Sequence, residues 1–355
     1  MADRLSIEGN LANHKNALAT LTIGTTQHID MQNGIKSIQK ELDEITSGLD
    51  IIIPEYLVFS TLIDKKTALV KYFKASRMSA ITHTHSAVGL ASDKEQQNQI
   101  STNSDNNFGT NLEQHLVNLK TRRSLAISEN IDTEIAENIR QWFIHFDQNL
   151  QQLMEDPSAK LSFDSEHLKF SIHQDGKPPY TFQTLSSGYS AIFDIYSDLL
   201  MRTEYFKVTP KEIKGVVFID EIDAHLHPSL QRLILPFFQN SFPNIQFITS
   251  THSPFVLTSV EGDIVYNLGT SEQIDEDIWF YSHEAIIKGL LKVDPTSPIL
   301  SNLILKISEL IKVNEKEIDY EQLSSLLHKV KPFENKLDSR SSAFYLKAKI
   351  ALQDR

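Results

Sequence analysis

The 355-residue chain contains no cysteine. That excludes disulfides, thiolate metal sites and a cysteine nucleophile. No apolar run approaches the roughly 18 residues that a membrane-spanning helix needs. The first residues are not basic-then-apolar, as a secretory signal would be. A cytoplasmic setting away from membranes is therefore expected. Positive charge is scarce as well: 34 Lys and Arg stand against 46 Asp and Glu, a net charge of −12. Nucleic-acid backbones need a basic excess, so DNA binding gains no support from charge. The short basic run Lys120-Thr121-Arg122-Arg123 reads as a solvated helix face.

Glycine–lysine pairs are nearly absent too. Of 12 glycines only Gly176 precedes a lysine, Pro178 follows it, and Ser171 occupies the position of the first glycine in Gly-x-x-x-x-Gly-Lys-Ser/Thr. The loop whose backbone N–H groups wrap phosphates while its lysine neutralises them is missing. Leu21-Thr-Ile-Gly24-Thr-Thr26 is the nearest glycine-bearing strand end, and it has no lysine.

What is present is concentrated in one stretch. Gly215-Val-Val-Phe-Ile-Asp220-Glu221 runs four apolar residues into two carboxylates. A buried parallel strand has this pattern when it delivers acids to its C-terminal end, where α/β sheets place their chemistry. Asp220 suits a magnesium ion, which prefers hard oxygen ligands. Glu221 suits the orienting or deprotonation of an attacking water. Upstream, Ser186-Ser187-Gly188 opens an apolar-periodic run and offers hydroxyls, free N–H groups and a positive dipole end to a phosphate. Downstream, Ile245-Gln-Phe-Ile-Thr-Ser250-Thr251-His252-Ser253-Pro254 reads as a second strand ending in a histidine within reach of a γ-phosphate.

In this order the three segments, spanning roughly residues 180–268, resemble the ABC-type ATPase heads of the SMC, RecF and OLD families. The likeness is strongest to the prokaryotic AAA group of genome maintenance and antiphage defence. The resemblance implies an α/β, P-loop NTPase-like head with a mostly parallel core sheet, a helical insertion and a helical C-terminal tail. It implies ATP and Mg2+ as ligands, Ser186, Ser187 and Gly188 as the signature turn, and Asp220 as the magnesium ligand. Glu221 becomes the catalytic base, His252 the switch histidine, and His225 part of a dimer-contacting D-loop. Such heads work as dimers in which one subunit's signature touches ATP held by the other, and an effector protein is a further expected partner. The missing loop leaves three readings open: an N-terminally shortened head, a degenerate subunit completing a partner's site, or a scaffold that binds no nucleotide.

The remaining chain is divided as residues 1–85, the first part of the ATPase lobe; 86–156, a flexible loop and helical insertion; 157–270, the core; and 271–355, a helical tail. Ile35, Ile38, Leu42 and Ile45 predict an amphipathic helix, with Gly48 as its stop. Ile51–Ile53 and Leu57–Leu62 are apolar enough for strands. Ala68–Phe73 predicts a strand followed by Arg77, which faces the nucleotide, a neighbouring loop or solvent. Residues 86–110, rich in Ser, Asp, Asn and Gln, predict a flexible segment, and 161–172 a hairpin. Asp263–Leu268 predicts a final short strand.

Other constellations have bland readings beside sharp ones. His83 and His85 form a metal pair or are loop histidines. His225 and His227 beside Asp223 form a zinc site or shape the D-loop. Arg140 and His145 have the Arg-x4-His spacing of a ribonuclease helix, but Trp142 and Phe143 beside them suggest packing. Asp220 and Glu221 could cap a following helix, Ser186 could be an ordinary N-cap, and His252 could be a helix-start residue held by Ser250.

Overall fold

The computed structural model describes residues 2–21, 25–46, 53–84, 86–88, 106–129, 132–274, 276–312 and 319–353. The chain forms two compact units, residues 1–61 and 62–355. In the first, α1 (Ala2–Leu18) packs against α2 (Thr26–Thr46). The predicted amphipathic helix is thus the second half of α2. Gly48 and residues 22–24 of the glycine-bearing segment lie outside the described residues, as do Ile51 and Ile52.

Leu57–Leu62 is a correction: it lies in a helix, α3 (Tyr56–Asp64), and not in a strand. Short apolar runs cannot be assigned by periodicity alone. Here Glu55, in the left-handed region at φ 54°, turns the chain after Pro54, and its carbonyl accepts from the N–H groups of Val58 and Phe59. Ile53 is loop.

The second unit is built on a three-stranded parallel sheet ordered β1 (Ala68–Phe73), β4 (Lys214–Ile219), β5 (Ile245–Thr249). Gly215 makes the first pairing possible. It sits at φ 146°, and a Cβ there would lie 2.0 Å from the Leu69 carbonyl oxygen. One face of the sheet, carrying Leu69, Phe73, Val217, Ile219 and Ile245, belongs to the main core. The other does not. In register, Val70 faces Val216 and Gln246, and Tyr72 faces Phe218 and Ile248. Val70 is 38%, Tyr72 54% and Ile248 44% exposed, and Val216 and Phe218 are half-buried. The strands read as fully buried are buried on one side only.

Helices α4 (Leu112–Ser128) and α5 (Thr133–Met154) form the predicted helical stretch, and β2 (Lys160–Asp164) pairs with β3 (Lys169–His173) as the predicted hairpin. Asp132 caps α5 by accepting from the N–H groups of Glu134 and Ile135. Lys120 is not on a solvated face: its Nζ lies 4.0 Å from the centre of the Phe143 ring, and burial lowers its pKa. The central helix is α6 (Ser187–Phe206), buried along nearly its whole length. It is followed by β4, α7 (Pro228–Ser241), β5 and the short α8 (Pro254–Leu257). The strand predicted at 263–268 is β6 (Val265–Asn267), hairpinned with β7 (Glu272–Ile274). After α9 (His283–Gly289), helices α10 (Pro298–Leu310), α11 (Tyr320–Val330) and α12 (Ser339–Gln353) share a separate small core around Ile307, Leu323 and Ala348.

The segment 86–110 requires a second correction. Residues 89–105 lie outside the described residues, but Phe108–Asn111 is an ordered 3-10 turn with Phe108 and Gly109 buried. It is tied to α6. Asp198 accepts from the Phe108 N–H at 2.7 Å and from Arg202 Nε at 2.8 Å, and both members of that ion pair are fully buried. Arg202 also donates to the Asn106 carbonyl and lies over the Phe108 ring.

Candidate nucleotide site

Strands β4 and β5 end side by side, and their C-terminal residues form one hydrogen-bonded group. The Ser250 N–H donates to the Ile219 carbonyl, and the Ile222 N–H to the Ser250 carbonyl. This extension of the sheet aligns the side chains. Ser250 Oγ donates to Asp220 Oδ1 at 2.6 Å and accepts from the Glu221 N–H at 2.7 Å. Thr251 Oγ1 donates to Asp223 Oδ1. Ser253 caps α8 and donates to Gln231 Oε1 at 2.6 Å, fixing the end of the 250–253 segment to α7.

Glu221 has φ 43°, and His225 has φ 66°. L-residues reach this region only at a cost, and such residues cluster at functional sites. Arg77 helps hold the turn there. Its Nη1 donates to the carbonyls of Asp220 (2.5 Å) and Lys74 (2.9 Å), and its Nη2 to those of Glu221 (3.0 Å) and Ile222 (3.3 Å). The side chain is buried, and its Nε has no hydrogen-bond partner. Burial lowers its pKa, while Asp194, Asp220, Asp223 and Glu221 all favour its charge. Of the places weighed for Arg77, the structure shows the neighbouring loop: both terminal nitrogens engage main-chain carbonyls.

Ser186 occupies the N-cap position of α6, yet its side chain makes no capping hydrogen bond, and Ser186 and Ser187 are exposed. Gly188 is buried against the loop after the acidic pair. A Cβ there would come 3.2 Å from the His225 carbonyl oxygen and 3.4 Å from Leu230. The Ser186–Gly188 turn therefore packs on the 225–226 loop, while Asp220, Glu221, Ser250 and Thr251 gather at the strand ends. His252 is exposed at the end of β5.

The donors around Asp220 are hard oxygens, and Ser250 engages only Oδ1. They fit a magnesium ion held by one or two carboxylates, with water and phosphate oxygens completing its octahedron. Among the described residues no group of three or more His, Asp or Glu side chains could hold a metal unaided. His85 lies outside those residues, and His83 lies 3.3 Å from the buried Glu113. His227 caps α7 by accepting from the Ser229 N–H, which is its structural alternative. Arg140 forms a two-point bond with its helical neighbour Glu137, and Trp142 packs on Phe143 and Phe146 while donating to Glu204 at 2.7 Å.

One part of the site escaped sequence reading. Asp194, Asp198 and Arg202 recur every fourth residue along α6, so all three lie on one face. Asn107 donates to Asp194 at 2.7 Å. Burial nonetheless pushes the Asp194 carboxyl up to about 6. The regular spacing of acids in a helix otherwise apolar was the available signal.

A parallel sheet ending in this acidic pair, with the Ser250–Ser253 segment beside it and an uncapped Ser186–Gly188 helix start, fits the class of AAA ATPase domains. Residues 41–258 match the family model described as "AAA domain, putative AbiEii toxin, Type IV TA system", and the chain belongs to that family. It is 41% identical over 111 residues to the Retron Vc95 probable ATPase of Vibrio cholerae serotype O1 biovar El Tor, covering 30% of this chain and 20% of that protein. It is 38% identical over 92 residues to the Retron Ec83 probable ATPase of Escherichia coli, covering 25% and 17%. Against the Septu protein PtuA of Bacillus thuringiensis it is 28% identical over 184 residues, 46% of each chain. The matched segments thus span a half or less of these relatives. A solved structure described as "Structural biochemistry of ATP-driven dimerization and DNA stimulated activation of SMC ATPases" aligns over 42% of this chain and 89% of its own. The identity is 18% and the TM-score 0.29, too low to bear on the fold. Among the described residues no helix is long and apolar enough to cross a membrane.

Proposed function

We propose that this chain is the ATP-binding and hydrolysing subunit of a prokaryotic defence complex, weak or silent alone because it has no glycine–lysine loop. The observation that carries the reading is the Asp220–Ser250–Glu221 group at the strand ends, with Glu221 held in a left-handed conformation. Its relatives' names, retron ATPases and the Septu protein PtuA, support the defence setting. The magnesium ion bound at Asp220 would neutralise charge on the phosphates.

Glu221 accepts a proton from the water that attacks the γ-phosphorus in line, as the bond to the β–γ bridging oxygen breaks and ADP leaves. His252 donates to a γ-phosphate oxygen. Ser186, Ser187 and Gly188 present a hydroxyl and N–H groups to ATP held by a second head, so the working form is a head dimer with an effector protein. Arg77 acts through the backbone of residues 220–222, and not as a nucleotide ligand. We place the complex in the cytoplasm. In the assembled complex Glu221→Gln traps ATP. Turnover unchanged by that substitution excludes Glu221 as the base.

The missing loop favours a second reading, a non-catalytic scaffold that retains the fold. Magnesium-dependent ATP binding at micromolar concentration by the purified chain counts against the scaffold. No binding, alone or in the complex, counts for it.

A further inference from the structure

Helix α6 is buried along nearly its whole length, yet one of its faces is polar. Ser190, Asp194, Asp198 and Arg202 fall four residues apart and are all buried, so they form one stripe along the helix. Three of them hold main chain that follows β1. Ser190 Oγ accepts from the Ser79 N–H at 3.0 Å, Asp198 from the Phe108 N–H at 2.7 Å, and Arg202 donates to the Asn106 carbonyl at 3.0 Å. Asp194 is met at Oδ1 by the neutral amide of Asn107.

Two residues before Ser79 stands Arg77, a guanidinium only 4% exposed. The carbonyls of Lys74 and residues 220–222 take its terminal nitrogens, and among the described residues its Nε has no acceptor. Carbonyl dipoles do not neutralise a full charge, so a buried cation needs an anion. Four carboxylates favour the charge of Arg77, and Asp194 acts more strongly than Asp220, Asp223 or Glu221. We propose that Asp194 is a positioning residue for hydrolysis: it is the counter-ion of Arg77 from the α6 side, and so leaves the strand-end carboxylates to their own ligands. The proposal rests on the reading of Asp220 and Glu221 as a hydrolytic pair.

With Asp194 ionised, the Arg77 charge is balanced from the helix, and its fork stays on the carbonyls of residues 220–222. With Asp194 neutral, the anions left to Arg77 are Asp220, Asp223 and Glu221. They are drawn onto the guanidinium, and the turn that presents them loosens. The charged groups facing Asp194 are Asp198 on its own helix, Arg77 on the segment after β1, and Lys71 on β1. Arg77 and Lys71 favour its ionised form, while burial and Asp198 oppose it. Ionised Asp194 thus costs the fold stability while it holds the turn, so overall stability and local order respond to its charge in opposite directions.

The test compares hydrogen exchange in the full chain and in Asp194→Asn, which keeps an acceptor for Asn107 and removes the charge. At pH 7 the variant should exchange about tenfold faster at residues 220–226. In the wild type, exchange there, corrected for its intrinsic dependence on pH, should quicken as pH falls from 7 to 5, through the Asp194 value of about 6. In the variant it should be flat. Relative to wild type, the variant should therefore gain overall stability and lose local protection as pH rises from 5 to 7. A dependence that persists in the variant belongs to His225, His227 or His252 and overturns the proposal. Loosening confined to residues 106–109 overturns it too, since Asp194 is then a tie for that turn alone. Because Asp194 acts through Arg77, Asp194→Asn should add nothing in an Arg77→Gln background, and a full further effect there refutes the link. If Arg77→Gln does not fold, the pH comparison decides. In the assembled complex Asp194→Asn should lower kcat about tenfold with KM held, and an unchanged kcat overturns the proposal. Loosening at residues 220–226 in a complex that never hydrolyses ATP keeps Asp194 as the counter-ion that holds the turn and removes the ATPase reading.

Discussion

Glu221 offers a direct test of whether its backbone stores a cost for the sake of its carboxylate. At φ 43° it occupies a region that disfavours a Cβ. For an L-residue the cost is about 1–2 kcal/mol. Glycine would relieve it but has more conformations to lose on folding, which returns about 0.4–1 kcal/mol. Its main-chain contacts, N–H to Ser250 and C=O from Arg77, survive any substitution. The side chain is exposed, so no burial is lost. Glu221→Gly should therefore raise stability by about 0.5–1 kcal/mol, while abolishing turnover in the assembled complex.

The matched controls are Glu155→Gly and Lys207→Gly. These residues end α5 and α6 at φ 49° and 57°. Both should gain a similar amount, since glycine is the usual residue at such helix ends, and neither should affect ATP turnover. Urea unfolding at constant slope reads the stability. A Glu221→Gly protein that is less stable than wild type by 1 kcal/mol or more on the same scale, while the two controls are stabilised, would refute the claim of stored strain. Full turnover in that variant would remove Glu221 from the chemistry.

Other expectations follow from neighbouring groups. Arg77→Lys keeps a positive charge but loses the planar fork that spans the carbonyls of residues 220–222. It should destabilise by about 2–4 kcal/mol and lower kcat more than KM in the assembled complex; an effect on KM alone would indicate direct nucleotide contact. Asp194 titrates near 6 in the fold against 3.8 for the free side chain. A raised carboxyl favours the fold fully below pH 3.8, and that advantage fades as pH climbs through 6. At about 1.4 kcal/mol per pH unit the loss reaches up to about 3 kcal/mol. The stability of Asp194→Asn relative to wild type should accordingly grow between pH 4 and pH 7 in urea titrations; a flat difference counts against the buried acid. Gly109→Ala places a Cβ 2.1 Å from Ser197 Oγ and 2.9 Å from the Asp198 nitrogen, and it should cost about 1–3 kcal/mol with early loss of protection around Phe108 in hydrogen exchange.

The placement of the candidate residues was legible where they fall in a short contiguous run. Asp220–Glu221, Ser186–Gly188 and Ser250–His252 each sit on one strand end or helix start, so local pattern was enough. Arg77 was legible only as a choice among nucleotide, neighbouring loop and solvent, because the carbonyls that decide it lie more than 140 positions away. The Phe108 turn looked like loop for the same reason. Its composition is polar, and what orders it is Asp198, 90 residues later. Leu57–Leu62 shows the opposite failure, since an apolar run of that length fits either element. For β4 and β5, composition pointed correctly to a parallel sheet. It did not reveal that Val70, Tyr72 and Ile248 on one face are exposed, because exposure depends on neighbours and not on the strand's own residues.

The electrostatics of the strand ends bear on the order in which ligands arrive. Asp220, Glu221 and Asp223 gather there, and Arg77, the buried cation beside them, has its terminal nitrogens on main-chain carbonyls. Such a surface attracts a divalent cation and repels a triphosphate. The chain alone should therefore bind magnesium before it binds ATP. Because binding to the folded state stabilises it by RT ln(1 + [L]/Kd), MgCl2 at ten times its Kd should add about 1.4 kcal/mol. Sodium chloride at equal ionic strength should add less, since screening lacks a site. Asp220→Asn should erase the difference, because the carboxylate that Ser250 leaves half-free is the expected ligand. Equal effects of the two salts on wild-type melting would show that the strand ends hold no cation, and would take the magnesium role away from Asp220.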